Sequence, residues 1–165
     1  MPERNSDFES IYQANYQKVM RVCKGYVNGD NGSAKDLTQE IFIKVWENLQ
    51  TFRGDANIAT WIYRITVNTC LLELRKKKYY KSERAFERVA DTQEETNSPK
   101  ENQLKKMYQC INKLPKNNKG LILLELEGLP QKEIAEIMGL SHEATRVRVH
   151  RIKKSLTKCV QNDSI

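Results

Sequence analysis

A chain of 165 residues has room for one ordinary domain or two small ones, each able to bury a modest helical core. Its 28 Lys and Arg against 21 Asp and Glu give a net charge of +7, which favours polyanionic partners where the excess is clustered. No run approaches the roughly 20 apolar residues of a membrane span, and the start MPERNSDFES lacks the apolar stretch of a signal peptide, so a soluble, cytoplasmic protein is expected.

Apolar residues recur at helical spacing almost throughout, with only 7 Gly and 4 Pro to punctuate them, which predicts an all-α fold of two small helical domains joined by a flexible linker. A first helix over about residues 7–27 puts Phe8, Ile11, Tyr12, Tyr16, Val19 and Cys23 near one face. After the break GYVNGDNG, Ser33 can cap a second helix that runs to about Leu49, with Leu37, Ile41, Val45 and Leu49 as its apolar stripe. Phe42 and Trp46 flank that stripe beside Asp36, Gln39, Glu40, Lys44 and Glu47. The aromatics are either core or the edge of a protein-docking surface.

The loop TFRGDAN offers Asp55 as a cap for a third helix from about residue 57 to 78, whose inner face takes Ile58, Trp61, Ile62, Ile65, Thr69 and Leu72. Its basic end surrounds Tyr79 and Tyr80 with Arg75, Lys76, Lys77, Lys78 and Lys81. Such a cluster can hold single-stranded DNA, and it is equally a solvated helix terminus. Residues 89–103 are polar and acidic, the composition of a linker between domains at 1–88 and 104–165.

The second block opens with a helix over about residues 104–114, then Pro115 leads into GLILLELEG, which ends on Gly128. Two short helices follow, about 131–138 and 141–160, with Gly139 at the turn, Ile134 and Met138 inward, Ala135 allowing close contact and Ser141 capping the second: a helix-turn-helix layout. From Ser141 onward Arg146, Arg148, Arg151, Lys153, Lys154 and Lys158 come with no carboxylate after Glu143. A recognition helix uses its N-terminal residues on base edges and its basic residues on phosphates. His142, Glu143 and Arg146 are therefore assigned to base edges and Arg148, His150, Arg151 and Lys153 to the backbone, with the capping Ser141 counted in the same DNA-binding set. A charged face in a generic helical bundle is the plainer alternative.

Cys23, Cys70, Cys110 and Cys159 stand forty or more residues apart, so no C-x-x-C clamp exists, and they read as buried thiols or chance exposures. With His142 and His150 the only histidines, no metal and no cofactor are expected.

The succession DLTQEIFIKVWENLQTFRG, TWIYRITVNTCLLELRKKK, an acidic linker and LEGLPQKEIAEIMGLSHEATRVRVHRIKKSL resembles the extracytoplasmic-function group of bacterial RNA polymerase sigma factors over nearly the whole chain. The resemblance implies that the first domain is region two, which docks on the β′ clamp helices of the core polymerase and engages the -10 promoter element. The second is region four, which binds the β flap and reads the -35 element. It further implies that Asp36, Gln39, Glu40, Ile43, Lys44 and Trp46 lie in the polymerase-binding helix. The loop 51–58, with Arg53, Asp55 and Asn57, faces the -10 DNA, as do Arg64, Asn68, Arg75 and Lys76 beyond it. The implied partners are RNA polymerase core, promoter DNA and an anti-sigma factor, with no small-molecule substrate. Glu143 and Pro130 stand where the family often has Gly and Ser, so base-reading details are not carried over there. A stand-alone helix-turn-helix regulator is the first rival reading, and it lacks a visible ligand or dimerisation domain. An enzyme is the second, with no P-loop, dinucleotide fingerprint or nucleophile motif to support it.

Overall fold

A computed structural model describes residues 2–83 and 98–162, and side chains within 7–77 and 98–162; the statements below concern these residues. They form seven α-helices and a short 3-10 turn. Helix α1 is Pro2–Tyr26, α2 Asn31–Asn48 with the 3-10 turn Leu49–Thr51 behind it, and α3 Ile58–Glu83. The C-terminal module holds α4 Pro99–Asn112, α5 Lys116–Leu126, α6 Gln131–Met138 and α7 His142–Asn162. Helix α4 thus starts inside the stretch expected as linker; residues 84–97, which carry the rest of it, lie outside the described residues, as do the side chains of Lys78, Tyr79, Tyr80 and Lys81.

Two caps sit elsewhere than expected. Asp30, not Ser33, closes the start of α2: its carboxylate accepts the Ser33 N–H at 3.1 Å and the Ser33 hydroxyl at 2.6 Å. Asn57, not Asp55, caps α3 by accepting the Ala59 N–H at 3.1 Å. In both cases the side-chain oxygen satisfies an amide that the helix itself leaves unpaired.

Helices α1 to α3 pack Val19, Cys23, Leu37, Ile41, Val45, Ile62 and Val67 into a buried core. Phe42 is core at 3% exposure, whereas Trp46 is half-buried and meets Phe8 edge-on, ring centres 5.1 Å apart. Tyr12 and Leu72, expected inside, are exposed. Thr66 and Thr69 are buried because their hydroxyls donate to the carbonyls of Ile62 and Ile65, which removes the cost of an unpaired polar group.

In the C-terminal module Ile111, Leu121, Leu124, Ile134, Val149 and Ile152 are buried. The turn between α6 and α7 follows the sequence reading. Gly139 takes the left-handed conformation, φ 69°, that ends α6, and the Ser141 hydroxyl accepts the Ala144 N–H at 3.1 Å to start α7. The reading of the cysteines as thiols fails for one pair: Cys110 and Cys159 form a disulfide between α4 and α7, and Cys23 and Cys70 are free and buried. Proximity in the fold, not spacing in the sequence, decides that pairing.

The buried side chains of the two modules form one continuous cluster. Helix α1 also packs against α4 and α5, and the buried Tyr26 at its C-terminal end reaches the C-terminal module. A side chain at Gly25 would collide with Leu123, and one at Gly120 would stand 2.8 Å from both the Tyr26 hydroxyl and Met138. The Arg21 guanidinium grips Glu127 with two bonds of 2.7 and 2.9 Å, and Arg64 donates to the Glu136 carbonyl oxygen at 3.3 Å. Tyr63, Tyr108 and Tyr26 also line this seam. Burial pushes the ionisation of all three phenols above its ordinary range, most strongly for Tyr26, whose buried hydroxyl has no hydrogen-bond partner among the described residues.

Candidate nucleic-acid interface

Helix α7 turns Thr145, Val149 and Ile152 inward, so the opposite strip is fixed by helical spacing. It runs through Glu143, Val147, His150 and Lys154 at i, i+4, i+7 and i+11, with Arg146 and Arg151 at its sides, and every one of these residues is exposed. Arg146, Val147, His150 and Arg151 surround a shallow depression. His142 and Arg148 are exposed as well, while Ser141 spends its hydroxyl on the cap. Lys153, expected at the phosphate backbone, instead gives its ammonium to Glu125 of α5 at 2.8 Å.

Sequence reasoning passed over Val147, which is 40% exposed among cations. An apolar side chain at this place can touch a thymine methyl, a contact that hydrogen-bonding residues do not make. The signal was available: with Val149 and Ile152 facing the core, Val147 has to face away.

On α3 the expected residues fall on one stripe. Asn57, Arg64, Asn68 and Arg75 are separated by seven, four and seven residues and are exposed, with Lys76 beside Arg75 and with Arg53 and Asp55 exposed in the preceding loop. Arg64 is the exception to an open stripe, because its guanidinium reaches across the seam to α6.

The six residues expected in the docking helix divide into two groups. Asp36, Gln39 and Ile43 are on the outside of α2, and Ile43, at 57% exposure, is an unusually open aliphatic side chain. With Phe8, Tyr12, Gln39, Phe42 and Trp46 it lines a shallow apolar groove. Lys44 turns back instead, donating to the Thr69 hydroxyl at 3.2 Å and lying 3.7 Å from the half-buried Glu40. Lys44 therefore ties α2 to α3.

Residues 11–79 match the family profile described as Sigma-70 region 2, and residues 104–156 the one described as Sigma-70, region 4. Among curated proteins the chain is 29% identical over 175 residues to RNA polymerase sigma factor YlaC of Bacillus subtilis, covering 100% of both chains. It is 30% identical over 159 residues to the ECF RNA polymerase sigma-E factor of Escherichia coli K12, covering 87% of this chain and 81% of that one. Two solved structures share the fold. The sigma factor RpoE of Bartonella quintana, in complex with the anti-sigma factor NepR, superposes with a TM-score of 0.76 at 20% identity over 95% of this chain and 98% of that one. CnrH, in complex with the cytosolic domain of CnrY, gives 0.73 at 19% identity over 97% and 91%. The two matched regions, in this order and over this much of the chain, place it in the sigma-70 family, in the extracytoplasmic-function group of RNA polymerase sigma factors.

Proposed function

We propose that this sigma factor directs RNA polymerase through three separate faces: the outer side of α2 for the core enzyme's β′ clamp helices, the α3 stripe for the -10 element, and the outer strip of α7 for the -35 element. The strip of α7 carries the reading. It combines an N-terminal turn open to base edges with flanking guanidinium and ammonium groups for phosphates, on a helix fixed by a left-handed glycine turn and a serine cap. Family membership supports promoter-specific initiation as the activity. The chain acts as a non-catalytic factor in the cytoplasm, where the polymerase works.

Energetics support a division of labour with the polymerase. Opening about ten base-pair steps at roughly 1.4 kcal/mol each costs on the order of 14 kcal/mol, comparable with the whole binding free energy of a nanomolar complex. A 19.3 kDa protein with two short DNA faces does not supply that alone. Region two captures an unstacked base at the loop 51–58 while polymerase contacts stabilise the rest.

A second reading concerns the conformation. The Arg64 guanidinium is held by α6, so one residue of the DNA stripe is engaged by the other DNA-binding module. We infer that this arrangement is the unengaged form, and that the modules separate before promoter binding. The partner suited to hold it is an anti-sigma factor, the class that holds the Bartonella RpoE sharing this fold.

Run-off transcription with purified bacterial core polymerase on a promoter library tests the assignment. New start sites sharing two upstream motifs are expected with the protein, and substitution of Asn57 is expected to shift the -10 preference. Start sites unchanged by the protein, with tight operator binding by the protein alone, would refute it in favour of a stand-alone regulator.

A further inference from the structure

The disulfide between Cys110 and Cys159 joins the last turns of α4 and α7, with the Cα atoms 5.9 Å apart across 49 residues of sequence. Helix α4 is exposed over its N-terminal half. Its buried side chains are Cys110 and Ile111, both near its C-terminal end, while Leu104 is 47% exposed. Lys100, Leu104 and Met107 form one wall of an open groove whose other wall is Leu156 and Val160 of α7, and the disulfide bridges the two helices that form those walls. One of the two buried side chains of α4 is therefore bonded covalently to α7.

Access distinguishes the two cysteine pairs. Cys23 and Cys70 lie with their sulfurs 3.9 Å apart at the centre of the N-terminal module, 0% and 1% exposed, and are thiols. The bonded pair joins the two helices that wall the groove, with Cys159 half-buried and Cys110 at 3% exposure. Cys159 is the more open residue of the bonded pair.

We propose that Cys110–Cys159 is a reversible thiol–disulfide exchange site that takes a low-molecular-weight thiol as its substrate, and that its state sets how firmly α4 is held to the C-terminal module. A solvent thiolate attacks the Cys159 sulfur, the sulfur–sulfur bond breaks, and its electron pair leaves on Cys110, which takes a proton from water. A second thiolate attacks the small-molecule sulfur of the mixed disulfide and displaces Cys159 as the second thiol. In sum the protein disulfide and two small thiols become two protein thiols and one small disulfide, and an oxidised small thiol drives the reverse. After reduction α4 is held by Ile111, by Met107, and by Tyr108 against Gly29 of the α1–α2 turn. Local opening of α4 then becomes more frequent while α1 to α3 keep their packing.

The test uses the full chain without denaturant, treated with millimolar dithiothreitol or glutathione, alkylated with iodoacetamide and mapped by mass spectrometry, with hydrogen exchange measured on both states. Cys110 and Cys159 are expected to become alkylated while Cys23 and Cys70 are not, and oxidised glutathione is expected to restore the bond. Amides of α4 are expected to exchange at least about tenfold faster in the reduced protein, with those of α1 to α3 unchanged. The double variant Cys110→Ser, Cys159→Ser should match the reduced state; if it does not fold, the reduced wild-type protein carries the same comparison. A bond that survives native thiol treatment, or equal α4 exchange in both states, overturns the proposal.

Discussion

Arg21→Ala isolates the seam between the modules. The Glu127 side chain is only 7% exposed, whereas Arg21 is 55% exposed, so the pair lies between a surface ion pair and a buried one. Exposed pairs contribute about 0–1 kcal/mol, and stripping one partner from a buried pair costs about 3–5 kcal/mol, which puts this loss at about 2 kcal/mol. Because the bond joins two modules with separate helices, the cost falls on the closed arrangement rather than on either bundle. About 2 kcal/mol corresponds to a closed-to-open ratio roughly 30-fold lower. Energy transfer between labels on α2 and α7 reads that ratio, and circular dichroism reads helix content. We expect lower transfer with helix content intact, and recovery when Glu127→Gln is added, since no charge is then buried unpaired. Unchanged transfer, or a loss of helix in place of separation, would show that the seam is not the weak plane of the molecule.

Three further outcomes follow from the same geometry. Ile43→Asp should weaken core polymerase binding at least about tenfold while shifting stability by no more than about 0.5 kcal/mol, because the side chain is open to solvent in the free protein; a pull-down titration and a thermal melt together check this. Lys154→Ala should reduce the slope of log affinity against log salt for promoter DNA by about one, whereas Lys153→Ala, already paired with Glu125, should leave the slope unchanged. Stability should fall as pH rises past about 10: the fold favours the neutral phenols of Tyr26, Tyr63 and Tyr108, the unfolded chain ionises them, and so the unfolded state binds fewer protons there. For Tyr26 the loss approaches about 1.4 kcal/mol per pH unit, and Tyr26→Phe should abolish it and add about 1 kcal/mol at neutral pH, as measured by urea denaturation.

The parts of the fold that were legible in the sequence rest on local chemistry. Gly139 and Ser141 specify the turn and the start of α7 whatever surrounds them, and the periodicity of Val149 and Ile152 fixes which side of that helix faces out. The seam was not legible. A single amphipathic stripe on α1 accounts for Val19 and Cys23, but Gly25 and Tyr26 meet Leu123 and Gly120 of a module that begins more than seventy residues later, and no spacing within α1 announces it. Threonines at 66 and 69 look polar until their hydroxyls are matched to carbonyls of the same helix. The docking helix shows the same limit: spacing groups Lys44 with Gln39 on one polar face, the resemblance adds Ile43, and only the position of Thr69 reveals that Lys44 points the other way.

The glycines at 25 and 120 give the seam the character of a latch. Where Leu123 meets the bare backbone of Gly25, and Tyr26 that of Gly120, even one added carbon has no room, so small displacements along the seam lose the fit without finding another. A contact of this kind has no graded settings. If the modules separate as proposed, the molecule is either shut or released, and a signal acting on it would be read as a number of molecules switched rather than as a degree of opening in each.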